Sequence, residues 1–269
     1  MKMAAEIRRY IQIACTLEPI SYKKGCTTRY RDVTPTLKIE NFIVAGINIG
    51  DAFEELAKRI IDDKKKNQNI YYDLCLKAQK DSLKNRGGHR INQGIIEFVF
   101  PIVISQLTHK ESNPYHILKK TTGVLKETNK QDVLYLEKMR NFAFSLWEGH
   151  HKHLLKMQKK FSNVYEFYAQ DNKDLFFNEI ANQYPILTEM LDLYYNKFMN
   201  KEKQIKADEY QKSEVCDHTR CNLNNLSDAM SYTYEVTKKK HSVVSNGIIA
   251  DLIACLIYLL LSCNKEFIV

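Results

Sequence analysis

Glycine and proline are scarce in this chain. Nine glycines and five prolines stand among 269 residues, so long stretches run without the residues that end helices and make turns. An all-β fold of short strands needs a turn roughly every 8–12 residues, and this sequence does not supply them. The apolar spacing agrees with helices. Ile7, Tyr10, Ile11, Ala14 and Leu17 recur at three- and four-residue steps over Met3–Leu17. A second stripe, Ile39, Phe42, Gly46, Ile49, Phe53, Leu56 and Ile60, follows Thr36 as its cap. Gly46 and Gly50 on or beside that stripe invite close approach by another helix.

Further helices are expected over about 70–83, from Asn113-Pro114 to about Lys126, and from Lys130 along a long stripe to Met157. Ile95–Leu107 is almost continuously apolar and reads as a buried helix kinked or broken at Pro101. A short helix covers Val164–Tyr168. Asp174 caps the next, whose stripe from Phe176 to Phe198 is interrupted by Pro185. Residues 200–222 are charged and irregular. Helices over Leu226–Lys238 and Gly247–Cys263 close the chain. With no repeat or linker, the expectation is one all-α domain of about ten helices over residues 1–269.

The 44% hydrophobic content suffices for a sizeable core, and the formal charge of +8 suits an anionic partner. The N-terminus carries charges where a signal peptide is apolar, and the seven scattered cysteines read as reduced thiols, which points to the cytoplasm. The run Gly247–Cys263 is marginal in length for a bilayer and contains Asp251, so a buried helix is expected and no membrane partner. No interleaved aromatic–basic motif marks a nucleic-acid binder. Homo-oligomerisation is left open.

Two stretches hold candidate chemistry. Ser21–Asp32 places Lys23, Lys24, Arg29 and Arg31 around Gly25. Such a loop is either a phosphate cradle or a solvated connection. Gly87-Gly88-His89-Arg90-Ile91-Asn92-Gln93-Gly94 is again glycine-rich and basic and opens into an apolar segment, where free N–H groups and Arg90 would make an anion site. Glu18 beside the first loop and Asp174 at a helix entry are carboxylates whose bland readings are a surface residue and an N-cap. Cys216, His218 and Cys221, with His150, His151 and His153 upstream, lack the second cysteine pair of a structural zinc site, and no zinc is expected.

Leu17-Glu18, Tyr22-Lys23-Lys24-Gly25, Arg29, Asp32, Asn41-Phe42 and Gly50-x-x-x-Glu54 together resemble the N-terminal signature of the triphosphoribosyl-dephospho-CoA synthase family. Arg90-Ile91-Asn92-Gln93-Gly94-Ile95-Ile96 resembles its Asn-Thr-Asn-Leu-Gly-Ile motif. Asp132 after Thr128, the block from Asn163 through Asp174 and Glu179, and the Asn246–Leu261 helix resemble further parts. Both prolines of the family's Pro-Lys-Pro-Gly loop are replaced, and Arg90 and Ile91 stand where it has Asn and Thr.

The resemblance implies an all-α fold and a pentosyl transfer. The 2′-hydroxyl of dephospho-CoA attacks the anomeric carbon of ATP and adenine leaves. It casts Glu18 and Asp174 as the catalytic carboxylates. Lys23, Lys24, Gly25, Arg29, Gly88, Arg90, Asn92 and Gly94 become the substrate-binding groups, with Mg²⁺ accompanying ATP. A related transferase with another acceptor, an inactive nucleotide-binding paralogue and a basic RNA binder are the competing readings.

Overall fold

The computed structural model describes residues 2–62, 70–85, 90–146, 160–199 and 223–263. Among them run eleven α-helices: α1 (Lys2–Leu17), α2 (Ile39–Asp62), α3 (Tyr72–Asp81), α4 (Gln93–His109), α5 (Pro114–Lys126), α6 (Lys130–Ser145), α7 (Val164–Ala169), α8 (Leu175–Ala181), α9 (Pro185–Tyr194), α10 (Leu223–Lys240) and α11 (Asn246–Cys263). A π-helical turn, Tyr195–Met199, continues α9. Apart from two isolated bridges, Thr28 with Arg31 and Thr34 with Leu37, no strand forms among the described residues. The fold is all-α, as the spacing predicts.

Two helices without a polar face, α4 and α11, form the centre. Every α4 residue from Ile95 to Leu107 is buried, as is every α11 residue from Leu252 to Leu261. They pack on each other, and α11 also meets α1, α9 and α10. α11 is the one described helix long and apolar enough to cross a membrane, but its sides are taken by these neighbours. The amphipathic helices wrap around this pair with one stripe inward.

α1 lies tightly on α2, and the glycines explain the contact. A Cβ on Gly46 would sit 2.6 Å from the Cys15 Cβ, and one on Gly50 would sit 2.6 Å from Gln12 Nε2. The two stripe glycines do admit another helix, and that helix is α1.

Local chemistry sets most helix starts. Asn113 accepts from the amides of Tyr115 and His116, with Pro114 in the first turn of α5. Asn129 and Asp132 form a capping box on α6. Asp132 also accepts from the amides of Tyr71 (2.8 Å) and Tyr72 (3.0 Å), which ties the start of α3 to the start of α6.

Three expectations need correction. α2 starts at Ile39 rather than after Thr36, because the Thr34–Leu37 bridge holds that segment in a turn. α6 ends at Ser145, with Leu146 as its C-cap, and the rest of the expected stretch, residues 147–157, lies outside the described residues. Pro101 breaks nothing: α4 is continuous through it, held by α2, α5 and α11 around it. Pro185 does interrupt its stripe, opening α9 after α8 has ended at Ala181.

Glu179 caps α9 from inside the core. It is 1% exposed and accepts from the amides of Ile186 (3.1 Å) and Leu187 (2.9 Å). Burial pushes its carboxyl up to about 7, against those two hydrogen bonds. In the unfolded chain the group ionises near 4.5. Between these values the native state keeps a proton that the unfolded state releases, so stability falls as pH rises through the window. The loss is roughly 3 kcal/mol at 1.36 kcal/mol per pKa unit. Glu179→Gln is expected to remove this slope in denaturant titrations between about pH 4.5 and 8. Parallel curves for the two proteins would mean that Glu179 is ionised throughout.

Candidate active site

α1 delivers Glu18 at its C-terminal end, and the chain then doubles back. Lys23 turns inward. Its Nζ lies 3.1 Å from Glu18 Oε1 and 3.0 Å from the Ser21 carbonyl oxygen, and it donates to the Glu18 carbonyl oxygen as well. The Lys23 side chain is fully buried and Glu18 nearly so. A buried ammonium is tolerated here because each of its three donors has an acceptor. The loop expectation therefore divides. Lys24, Arg29 and Arg31 are exposed, whereas Lys23 serves Glu18 instead of facing outward to a phosphate.

Gly25 is the hinge of the loop. Its φ is +84°, and a Cβ there would sit 2.2 Å from Asn246 Nδ2, the first residue of α11. The close approach expected of Gly25 is thus made to the protein's own last helix. Tyr234 of α10 donates to the Lys24 carbonyl oxygen (2.9 Å), and Cys26 Sγ lies 3.6 Å from both Tyr234 Oη and the Asn246 carbonyl oxygen. The basic loop is clamped onto α10 and α11.

The second loop reaches the same place from the other side. Gly87, Gly88 and His89 lie outside the described residues. Asn92 adopts φ +59° and hands over to α4 at Gln93. Gly94 touches α11: a Cβ on it would sit 1.9 Å from Asp251 Oδ2. Gly94→Ala must therefore push the Asp251 carboxyl aside. Activity is expected to fall at least tenfold, in keeping with the cost of a small misplacement, while the melting temperature changes little. Steady-state rates and thermal unfolding on one preparation check both.

Asp251 is the group that sequence reasoning missed as a site residue. The residue keeps some surface, but its carboxyl is enclosed. Burial raises it well above the ordinary range, the Glu18 charge adds to this, and Arg90 opposes. Burial also raises Glu18, while the Lys23 ion pair pulls it back. Two enclosed carboxyls thus influence one another through their charge, Glu18 ion-paired to Lys23 and Asp251 within the field of Arg90. Arg90 stacks its guanidinium 5.1 Å from the Phe144 ring centre and feels both Asp251 and Glu97. Asn92 is 6% exposed, and its Nδ2 has no hydrogen-bond partner among the described residues. The signal for Asp251 was one charge inside an apolar run, which a buried helix carries only with partners or a purpose.

Beneath the Gly94 turn lies a second polar knot. Glu97 is fully buried. It accepts from Arg140 (2.6 Å), Tyr168 (3.0 Å) and Gln93. Asp174 stands elsewhere. It caps α8 by accepting from the amides of Phe176 (2.9 Å) and Phe177 (3.2 Å), and α8 packs on α7 and α5. The charge of Glu18 acts on Asp251, and Asp174 is not among the groups that act on either carboxyl.

Among the described residues no three His, Cys, Asp or Glu side chains converge as metal ligands. The histidines 150, 151 and 153 and the Cys216–Cys221 segment lie outside the described residues.

No curated protein matches this chain. A solved structure described as a triphosphoribosyl-dephospho-CoA synthase, from Archaeoglobus fulgidus, is similar at 18% identity and a TM-score of 0.49, covering 81% of this chain and 97% of that one. The family model for ATP:dephospho-CoA triphosphoribosyl transferase matches residues 4–212. That stretch holds Glu18, the basic loop and the Gly94 turn, and it stops short of α10 and α11. With more than three quarters of its length so matched, the chain belongs to the ATP:dephospho-CoA triphosphoribosyl transferase family, enzymes that join the two substrates in that name.

Proposed function

We propose that this chain transfers the triphosphoribosyl group of ATP to the 2′-hydroxyl of dephospho-CoA at the Glu18–Asp251 pair. The observation that carries this reading is two enclosed carboxyls, both raised by burial, of which Glu18 is paired with Lys23 while Asp251 lies against the Gly94 turn. Sites of that kind run acid and base chemistry together at one pH. Glu18, raised by burial and therefore a stronger base than an ordinary carboxylate, and ion-paired to Lys23, takes the proton of the attacking hydroxyl. The hydroxyl oxygen bonds to the anomeric carbon of ATP as the bond from that carbon to adenine breaks. Asp251, held protonated by burial, gives its proton to the departing adenine nitrogen. A water then returns the proton from Glu18 to Asp251. The negative charge on Glu18 also favours the oxocarbenium-like carbon.

Binding falls to the polar rim. Exposed Lys24 and Arg29, Arg90 beside Asp251, the Asn92 amide and the free N–H groups at the start of α4 are the anion-binding groups for the triphosphate. The donor chemistry fits a magnesium ion arriving on ATP. Such an ion would rest on phosphate oxygens and water. Its contribution is to neutralise triphosphate charge.

The test is free adenine, measured by chromatography from ATP and Mg²⁺ with and without dephospho-CoA. Adenine appearing only with dephospho-CoA is the expected result. Stabilisation by ATP without adenine release would replace the acceptor or leave a binding protein. No response to either nucleotide would remove the reading.

A further inference from the structure

A cavity of about 210 Å³ opens beside the Glu18 loop. Leu17 and Ile20 wall it on the loop side, Leu226 and Met230 from α10, and Ile257 from α11. Two hydroxyls, those of Ser21 and Ser227, are the polar side chains along these walls, and Arg29 stands at the mouth. Next to the mouth the loop leaves two large rings in solvent, Tyr22 at 48% and Tyr30 at 61% exposure. Their centres are 6.1 Å apart, and the Arg29 guanidinium lies 4.6 Å over the Tyr30 ring. Exposed aromatics grouped at the mouth of an apolar cavity mark a ligand contact.

We infer that this cavity and its Tyr22–Arg29–Tyr30 rim form the subsite for an adenine base. The inference rests on the reaction proposed above. A phosphate or a carboxylate would lose its hydration between these apolar walls. An uncharged flat heterocycle fits them, needs few hydrogen-bonding points, and gains from ring and guanidinium faces at the rim. The position agrees with the chemistry. Leu17 precedes Glu18 in the chain and the Ser21 carbonyl accepts from the same Lys23 ammonium that pairs with Glu18, so the cavity opens on the loop that holds that carboxylate. In dephospho-CoA the base is carried on the carbon next to the attacking 2′-hydroxyl. In ATP it is carried on the carbon under attack. Either way the base lies beside Glu18 when the reaction occurs. The α10 wall, from Leu226 to Met230, falls outside the stretch matched by the family, which ends at residue 212.

Ser227→Phe projects a ring into the cavity from a partly exposed position, and Arg29→Ala trims the mouth at an exposed one. Both full-length variants are titrated by calorimetry with ATP, with dephospho-CoA and with inorganic triphosphate, which has no base. Ser227→Phe is expected to weaken at least one adenine nucleotide about tenfold or more, with triphosphate binding and melting temperature unchanged. Arg29→Ala is expected to weaken the same nucleotide to a smaller degree. Whichever nucleotide loses affinity is the one whose base enters. In Ser227→Phe, unchanged affinity for both, or an equal loss for triphosphate, overturns the subsite; Arg29→Ala is expected to weaken triphosphate as well, because Arg29 also serves the triphosphate. Adenine release by the unaltered protein is read separately. Turnover with no binding change in the variants defeats the subsite alone, and a base-specific loss without turnover defeats the reaction and keeps the subsite.

Discussion

Asp251→Asn is expected to lower kcat for adenine release by roughly 10²- to 10⁴-fold, the usual worth of a positioned acid or base, and to erase the high-pH limb of the rate profile. Asparagine keeps the size of the side chain, and therefore its fit against Gly94, but it has no proton to give. The sign of the pH dependence follows from the two environments. Glu18 acts only when ionised, and burial raises it above the ordinary carboxylate range. The rate therefore climbs through a pH region above that range. Asp251 acts only when protonated, and burial with the Glu18 charge raises it further. The rate falls again where Asp251 gives up its proton. The unaltered enzyme is expected to show both limbs in kcat, Asp251→Asn the rising limb alone, and Glu18→Gln the falling limb alone. Glu18→Gln also leaves the buried Lys23 ammonium without its carboxylate, so its loss of rate is read beside its melting temperature. An Asp251→Asn enzyme within a few fold of the original rate would show that no proton passes through residue 251.

These two carboxyls separate what is local in a sequence from what is not. Helices were legible because their signals lie within a few residues of one another. The Asn113-Pro114 start of α5, the Asp174 cap of α8 and the interruption at Pro185 each stand in the structure where the sequence puts them. The closeness of another helix at Gly46 and Gly50 was legible too, since a missing side chain on an apolar stripe has few other uses. The identity of that helix, α1, was not. Thr36 and Pro101 misled because tertiary contacts overrode local preference, a turn in one case and a packed centre in the other.

The site was half legible for the same reason. Glu18, Gly25, Arg90, Asn92 and Gly94 sit in two motif-like loops, and both loops reach α11. Their partners Asp251 and Asn246 come from the far end of the chain, and no local spacing links them. Lys23 looked like one of four equivalent cations. Its direction depends on a chain reversal that brings it back over Glu18, a three-dimensional fact. Glu97 was hidden inside an apolar run, as Asp251 was. Both break a pattern that otherwise declares a dry core, and charges that break such a pattern are where chemistry or a buried network should be sought.

The largest expected effect on stability comes from that network. Arg140→Met is expected to destabilise the fold by roughly 3–5 kcal/mol, the cost of leaving one partner of a buried ion pair uncompensated. At about 2–4 °C per kcal/mol for a chain of this size, the melting temperature should drop by roughly 10 °C. Glu97 would keep its hydrogen bonds from Tyr168 and Gln93 but lose the guanidinium that donates to it at 2.6 Å. Arg140 also lies 4.7 Å from the Phe177 ring centre and 5.6 Å from that of Phe176, so methionine retains much of the packing and isolates the charge. The double change Glu97→Leu with Arg140→Leu is expected to recover most of the lost stability, because two apolar side chains leave no orphaned charge. It should not recover activity. Gln93 donates to Glu97 and stands between Asn92 and Gly94, so the network fixes the turn that touches Asp251. A refolded but slow double variant would assign Glu97 a positioning role through Gln93. Equal recovery of melting temperature and rate would make the knot a matter of stability alone, and a drop under about 2 °C in Arg140→Met would show that the ion pair contributes little to the fold.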